Sequence, residues 1–225
     1  MKLVLAFHGT RDPRGGVVCS EVASMVQARV DVPVEVAYAD VRQPDVRSVV
    51  DGPCVVVPAF LAAGYHVRVD IPEQIGERSD VVLTSPVGVD AVPAVRDRLV
   101  EAGFRRGDVL VLAAAGSSDS RALADVRRAA GLLGASAVGY VATAVPRVVD
   151  VVSEVRERVR GQGPALGRGR RVVVASWLLA PGAFHGALAG CGADLVSEPV
   201  GAHPLLVDVL VRRYYEARVG VLRTA

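Results

Sequence analysis

His8 and His66 are two of only four histidines in a chain of 225 residues. His8 directly follows the apolar run Leu3–Phe7, and Asp40 directly follows the run Val34–Ala39. His66 sits on the longer segment after Cys54–Val57. Two imidazoles and a carboxylate suit iron, cobalt, nickel or zinc as a transition-metal site. A neutral imidazole can also remove a proton as general base. Either histidine by itself reads more readily as a hydrogen-bonded loop residue. Their shared placement beyond apolar runs is what favours a site. Cys19, Cys54 and Cys191 lie far apart without a CxxC pair, against both a disulfide framework and a structural zinc site.

Competing chemistries fail on particular residues. No G-x-S-x-G stretch supplies a nucleophile elbow. Lys2 is the sole lysine, so a P-loop is excluded. Phe7-His8-Gly9-Thr10 looks like a histidine phosphatase, but that family carries an arginine where Phe7 stands. Gly161-Gln162-Gly163-Pro164-Ala165-Leu166-Gly167 looks like a dinucleotide fingerprint, yet it follows a helical pattern rather than a strand. Cys54 and Trp177 read as core.

The frame that must position these residues is α/β. Strand-like runs at Leu3–Phe7, Val34–Ala39, Cys54–Val57 and Val81–Leu83 alternate with helical patterns at Val17–Val30, Asp45–Val50, Ile71–Arg78 and Ala91–Ala102. The alternation then repeats. Strands are expected at Val109–Ala113, Ala137–Val141, Val172–Ser176 and Ala193–Val196, and helices at Ser120–Leu133, Arg147–Arg160, Gly182–Ala189 and Pro204–Ala217. Such an order implies parallel sheets with right-handed crossovers, whose ligands bind beyond the carboxyl ends of the strands.

Local matches make this a duplication. Phe7-His8-Gly9-Thr10-Arg11-Asp12 aligns with Ala114-Ala115-Gly116-Ser117-Ser118-Asp119, and Gly64-Tyr65-His66 with Gly182-Ala183-Phe184-His185. Pro86-Val87-Gly88 matches Pro199-Val200-Gly201. The boundary falls near Gly103–Gly107, giving halves 1–104 and 105–225, with 161–167 as a loop inserted in the second. Ala115 replaces His8 and Ala142 or Thr143 replaces Asp40, while His185 survives and His203 is new. One site per chain, in the first half, is the simpler expectation.

Composition fits a folded protein: 51% hydrophobic, 22% charged and only 4% aromatic, so the core is aliphatic. The balance of 26 basic and 24 acidic residues is too even for nonspecific nucleic-acid binding. The opening apolar run is too short for a signal peptide. A long uncharged stretch, Ala129–Pro146, is broken by Gly131, Gly134 and Gly139. A cytoplasmic protein without membrane or nucleic-acid partners is expected.

Leu5-Ala6-Phe7-His8-Gly9-Thr10-Arg11-Asp12-Pro13-Arg14 resembles the opening motif of the sirohydrochlorin chelatases, the class II tetrapyrrole chelatases of the cobalamin and siroheme pathways. Val57-Pro58-Ala59-Phe60-Leu61-Ala62-Ala63-Gly64-Tyr65-His66-Val67-Arg68-Val69-Asp70-Ile71-Pro72 resembles their second motif. The resemblance implies a two-domain form with a degenerate second half. Each half would be a four-stranded parallel sheet flanked by helices, with the active-site cleft between them. It also implies a lyase that inserts Fe²⁺ for siroheme, or Co²⁺ for cobalamin, into sirohydrochlorin with release of two protons. Ni²⁺ is a third candidate metal, and no organic cofactor is implied.

Carried onto this chain, the catalytic histidines are His8 and His66, and the metal ligands His8, Asp40 and His66. Asp40 stands where some members have glutamate; being shorter, it could act through water or merely orient a histidine. Gly9, Thr10, Arg11, Arg14, Arg42, Gly64, Tyr65 and Arg68 would bind the substrate, the arginines through its carboxylates. A noncatalytic tetrapyrrole or metal carrier using the same cleft is the other reading. The duplication points to a monomer. Imidazoles acting as ligand and base must be neutral, so insertion should rise from about pH 6 to a plateau near pH ~8.

Overall fold

Apolar runs buried on both faces form the centre of two sheets in the computed structural model, which describes residues 1–161 and 170–224. Positions 162–167 of the inserted stretch lie outside the described residues. In the first sheet, β1 (Lys2–Phe7), β2 (Val34–Tyr38), β3 (Cys54–Pro58) and β4 (Val81–Leu83) are all parallel, in the order β2-β1-β3-β4. The second sheet repeats this with β5 (Val109–Ala114), β6 (Ala137–Tyr140), β7 (Val172–Trp177) and β8 (Leu195–Val196), ordered β6-β5-β7-β8.

Around the first sheet lie α1 (Pro13–Gln27), α2 (Val46–Val49), a π-helical turn (His66–Asp70) running into α3 (Ile71–Ile75), and a 3-10 turn (Gly88–Ala91). Val4, Ala6, Ala37 and Val56 pack under α2 and α3 through Val46, Val49, Ile71 and Ile75. By strand alternation Leu3, Leu5, Val55 and Val57 point the other way, and all four are fully buried. That face is covered by α1 and by α8 (Pro204–Thr224).

The second sheet carries α4 (Val92–Glu101), α5 (Ser120–Leu133), α6 (Val148–Gly161) and α7 (Ala183–Leu188). Val148, Val151, Val152 and Val155 of α6, with Leu188 of α7, pack on Val111, Ala113, Val172 and Val174. On the opposite face α4 and α5 pack against β5, β6 and β7.

The two compact units therefore cut the chain differently from the repeat. One unit is Met1–Ala91 with Gly201–Ala225, and the other is Val92–Val200. α4 belongs to the second of these units and α8 to the first. Among the described residues no helix is long and apolar enough to cross a membrane.

Candidate active site

The carboxyl ends of β1 and β3 are pinned by parallel pairing that continues past the strands. The Ala39 amide donates to the Phe7 carbonyl (2.8 Å), the Asp40 amide to the His8 carbonyl (3.1 Å), and the Ala59 amide to the Ala6 carbonyl (2.8 Å). His8 is thereby held at the end of the central strand, exposed, with no freedom to slip. Gly9 follows at φ 94°, and a β-carbon there would collide with the Asp40 carbonyl oxygen. Glycine is thus required by the chain's own close approach.

His66 arrives from the segment after β3, on the first residue of the π turn. Its ring and that of His8 lie with centroids 4.4 Å apart and planes at 82°. This is near enough for both to ligate one ion through metal–nitrogen bonds of about 2.0–2.1 Å. Phe60 stands beside the pair, 6.2 Å from His8 and 6.5 Å from His66, and the exposed Tyr65 ring is 6.3 Å from His66.

Both imidazoles engage Nδ1. In His8 it contacts the Gly9 carbonyl oxygen at 3.0 Å, and in His66 it makes a short bond to Asp70 Oδ2. A carbonyl and a carboxylate both accept, so each ring is placed as the Nδ1–H tautomer with the Nε2 lone pair available. Asp70 is a site residue that the strand-end logic passed over, because the segment read as loop. A His and an Asp four apart just before Pro72 was the signal that could have found it.

Asp40 is exposed, and its Oδ1 accepts the amide of Val41 at 2.6 Å. Among the described residues no three His, Cys, Asp or Glu side chains gather as a metal-holding group. The structure brings His8 and His66 together and leaves the Asp40 carboxylate on its own turn. Val41 there has φ 68°, a sparsely populated conformation for a β-branched residue.

The remaining candidates divide. Arg11 is exposed. Arg14 forks onto the Asp12 carboxylate (2.7 Å), and that hydrogen bond is the main cause holding Asp12 below its ordinary range. The Thr10 hydroxyl accepts the Asp12 amide at 3.2 Å. Arg42 donates to the Thr10 carbonyl at 3.4 Å and sits 5.7 Å from the centre of the Tyr38 ring. With Tyr38, Pro13, Gly16 and Ser20 it lines an open groove along α1 that includes neither His8 nor His66. Arg68 donates Nε to the Ala63 carbonyl (2.8 Å), and the Gly64 amide donates to the Ala62 carbonyl (3.2 Å). Cys19, on α1, is inert: burial pushes its thiol up to about 11.

The second unit repeats the scaffold without the imidazole pair. The Ala142 amide donates to the Ala115 carbonyl at 2.8 Å, as Asp40 does to His8, and Gly116 has φ 100°. No imidazole stands at Ala115. His185 Nε2 contacts the Ser197 carbonyl oxygen (3.3 Å). His203 is buried, and its Nδ1 accepts the Leu205 amide at the start of α8 (3.3 Å).

Residues 2–102 match the model of the CbiX family. A sirohydrochlorin cobaltochelatase of Methanothermobacter thermautotrophicus is 26% identical over 130 residues, 44% of this chain and 91% of the relative. Another, from Methanopyrus kandleri, is 35% identical over 82 residues, 33% of this chain and 57% of the relative. Among solved structures, SirB from Bacillus subtilis with Fe3+ superposes with a TM-score of 0.76 at 21% identity, covering 98% of this chain and 97% of that one. CbiX, described as the terminal enzyme for biosynthesis of siroheme in denitrifying bacteria, gives 0.65 at 18% identity, covering 96% and 99%. The paired parallel sheets are thus the chelatase fold.

Proposed function

We propose that the chain belongs to the sirohydrochlorin chelatase family and inserts a divalent metal, Fe²⁺ or Co²⁺, into sirohydrochlorin. The observation that carries the reading is the facing pair His8 and His66, each with Nδ1 engaged and Nε2 open at the carboxyl end of the sheet. The first repeat carries the site, and the second is a degenerate copy that keeps the turn at Gly116 without an imidazole.

Insertion exchanges two pyrrolic N–H protons for one M²⁺ ion, so a site must deliver metal and accept protons. Two imidazoles hold an incoming ion with few bonds and leave its other positions to water and then to the ring nitrogens. Once an Nε2 lone pair is released from the metal it can take a pyrrolic proton. Asp40 lies on the loop bonded to His8 and serves the ion through water or by moving off the Val41 amide. Arg11, Arg14, Arg42 and Arg68 supply guanidinium groups for the carboxylate rim, with Arg14 exchanging Asp12 for substrate. Thr10, Gly9 and Gly64 shape the approach of the macrocycle, and Tyr65 offers an exposed ring face.

The test is anaerobic incubation with sirohydrochlorin and Fe²⁺, Co²⁺ or Ni²⁺ in turn, following the absorption spectrum with the uncatalysed rate subtracted. Many turnovers per chain are expected with at least one metal. A stoichiometric spectral change that stops at one equivalent would make the protein a tetrapyrrole or metal carrier instead.

A further inference from the structure

The π turn that carries His66 has a cause in the sequence. Pro72 has no N–H, and inside an α-helix its ring would strike the carbonyl four residues back, that of Arg68. The chain widens instead, and the Ile71 amide donates to the His66 carbonyl five residues earlier. Val67 and Ile71 are buried and fix the rotation of the turn on the core. His66 and Asp70 come to share a side of it, both partly buried, in direct contact through Nδ1 and Oδ2.

A carboxylate oxygen has no proton to give at that contact, so the bond selects one tautomer of His66 and one orientation of its ring. His8 has only a neutral carbonyl, that of Gly9, in the same role. We propose that Asp70 is a positioning residue that holds His66 as the Nδ1–H tautomer and keeps Nε2 bare for the incoming metal. The orienting carboxylate is then Asp70 rather than Asp40. The tautomer assignment stands on the contact itself, whereas its use in metal binding rests on the chelatase reading of His66.

Two variants test this. Asp70→Leu removes the acceptor at similar size, and Asp70→Asn keeps an amide oxygen that can still accept from Nδ1–H. The first readout is the ¹⁵N resonances of the His66 ring in metal-free protein. The native chain should show a protonated Nδ1 and a bare Nε2, Asp70→Asn the same pattern, and Asp70→Leu a mixture. The second readout is binding of Co²⁺ alone, without tetrapyrrole. Loss of an outer carboxylate costs about 10–100-fold in metal affinity, so Asp70→Leu should weaken Co²⁺ binding by that factor and Asp70→Asn by less. If Asp70→Leu stays folded and its His66 keeps a bare Nε2, the proposal is overturned; should it not fold, a protonated Nε2 in native protein or in Asp70→Asn overturns it equally. A native protein with the expected tautomer but no Co²⁺ binding would instead remove the metal-ligand reading and leave the tautomer assignment standing.

Discussion

Gly9 and Gly116 separate two demands that coincide at the site. Both have positive φ, and at both a β-carbon would strike a backbone carbonyl oxygen, that of Asp40 or of Ala142. Only Gly9 is preceded by an imidazole, that of His8. Gly9→Ala and Gly116→Ala are each expected to lower stability by about 1–3 kcal/mol from backbone strain alone, more once the collision is added. Urea denaturation should give similar losses for the two, while only Gly9→Ala should also displace His8 and cut metal insertion. Replacing the imidazoles acts on chemistry alone: His8→Ala and His66→Ala should each reduce insertion on the order of 100-fold or more, with circular dichroism unchanged. His185→Ala should do far less, since its Nε2 already contacts the Ser197 carbonyl oxygen and no partner stands at Ala115. The two imidazoles were legible in the sequence because a polar residue directly after an apolar run lies at a sheet end. Asp70 was not, because a contact between residues four apart needs a helical turn, and the expected helix began only at Ile71.

The elements themselves were legible where burial leaves a pattern. Ser120–Leu133 has the expected bounds, and every strand lies within or one residue beyond its expected run. α1 starts at Pro13 rather than Val17, because Asp12 caps it by accepting the Arg14 amide and Pro13 suits the first turn. β8 is shorter than expected: Asp194 is drawn into bonds with Arg156 and the Val172 amide. The mouth of the second sheet is clamped where Arg171, just before β7, forks onto Asp108, just before β5, at 3.0 and 2.6 Å. That fork is the main cause lowering the Asp108 carboxyl, with burial opposing it. A carboxyl held below its ordinary value contributes stability at neutral pH, and loses it as pH falls through the folded-state value. Asp108→Asn should therefore melt below the native chain at pH 7. The gap in melting temperature should narrow as pH drops below about 4. A gap that stays constant down to pH ~2.5 would assign the loss to geometry instead.

At the scale of the molecule, the two sheets share one strand order, as a repeat read from local matches implies, but the destination of each terminal helix is not encoded in such matches. α4 and α8 both present apolar faces of the usual helical period, and nothing local says which sheet each will cover. Val92, Val95 and Leu99 of α4 are buried in the second unit, and Leu206, Leu210 and Tyr214 of α8 in the first. Residues 1–104 by themselves would have α4 without its sheet, and β1 and β3 without α8. Size-exclusion chromatography of that fragment should show dimers or larger species. A chain joining 1–91 to 201–225 should instead elute as a monomer and unfold cooperatively. A monomeric, cooperatively folding 1–104 would mean that α4 can turn back onto its own sheet.

The exchanged helices also set a timetable. Val92–Val200 is one unbroken stretch and has all it needs once Val200 leaves the ribosome. Met1–Ala91 is translated first, yet it must wait for the helix at Pro204–Thr224 to close over Val55 and Val57. Of the two units, the one begun earlier is thus finished later. While Val92–Val200 is being translated, the nascent protein carries an aliphatic sheet face that only α1 covers, the kind of surface that chaperones bind and that neighbouring nascent copies join.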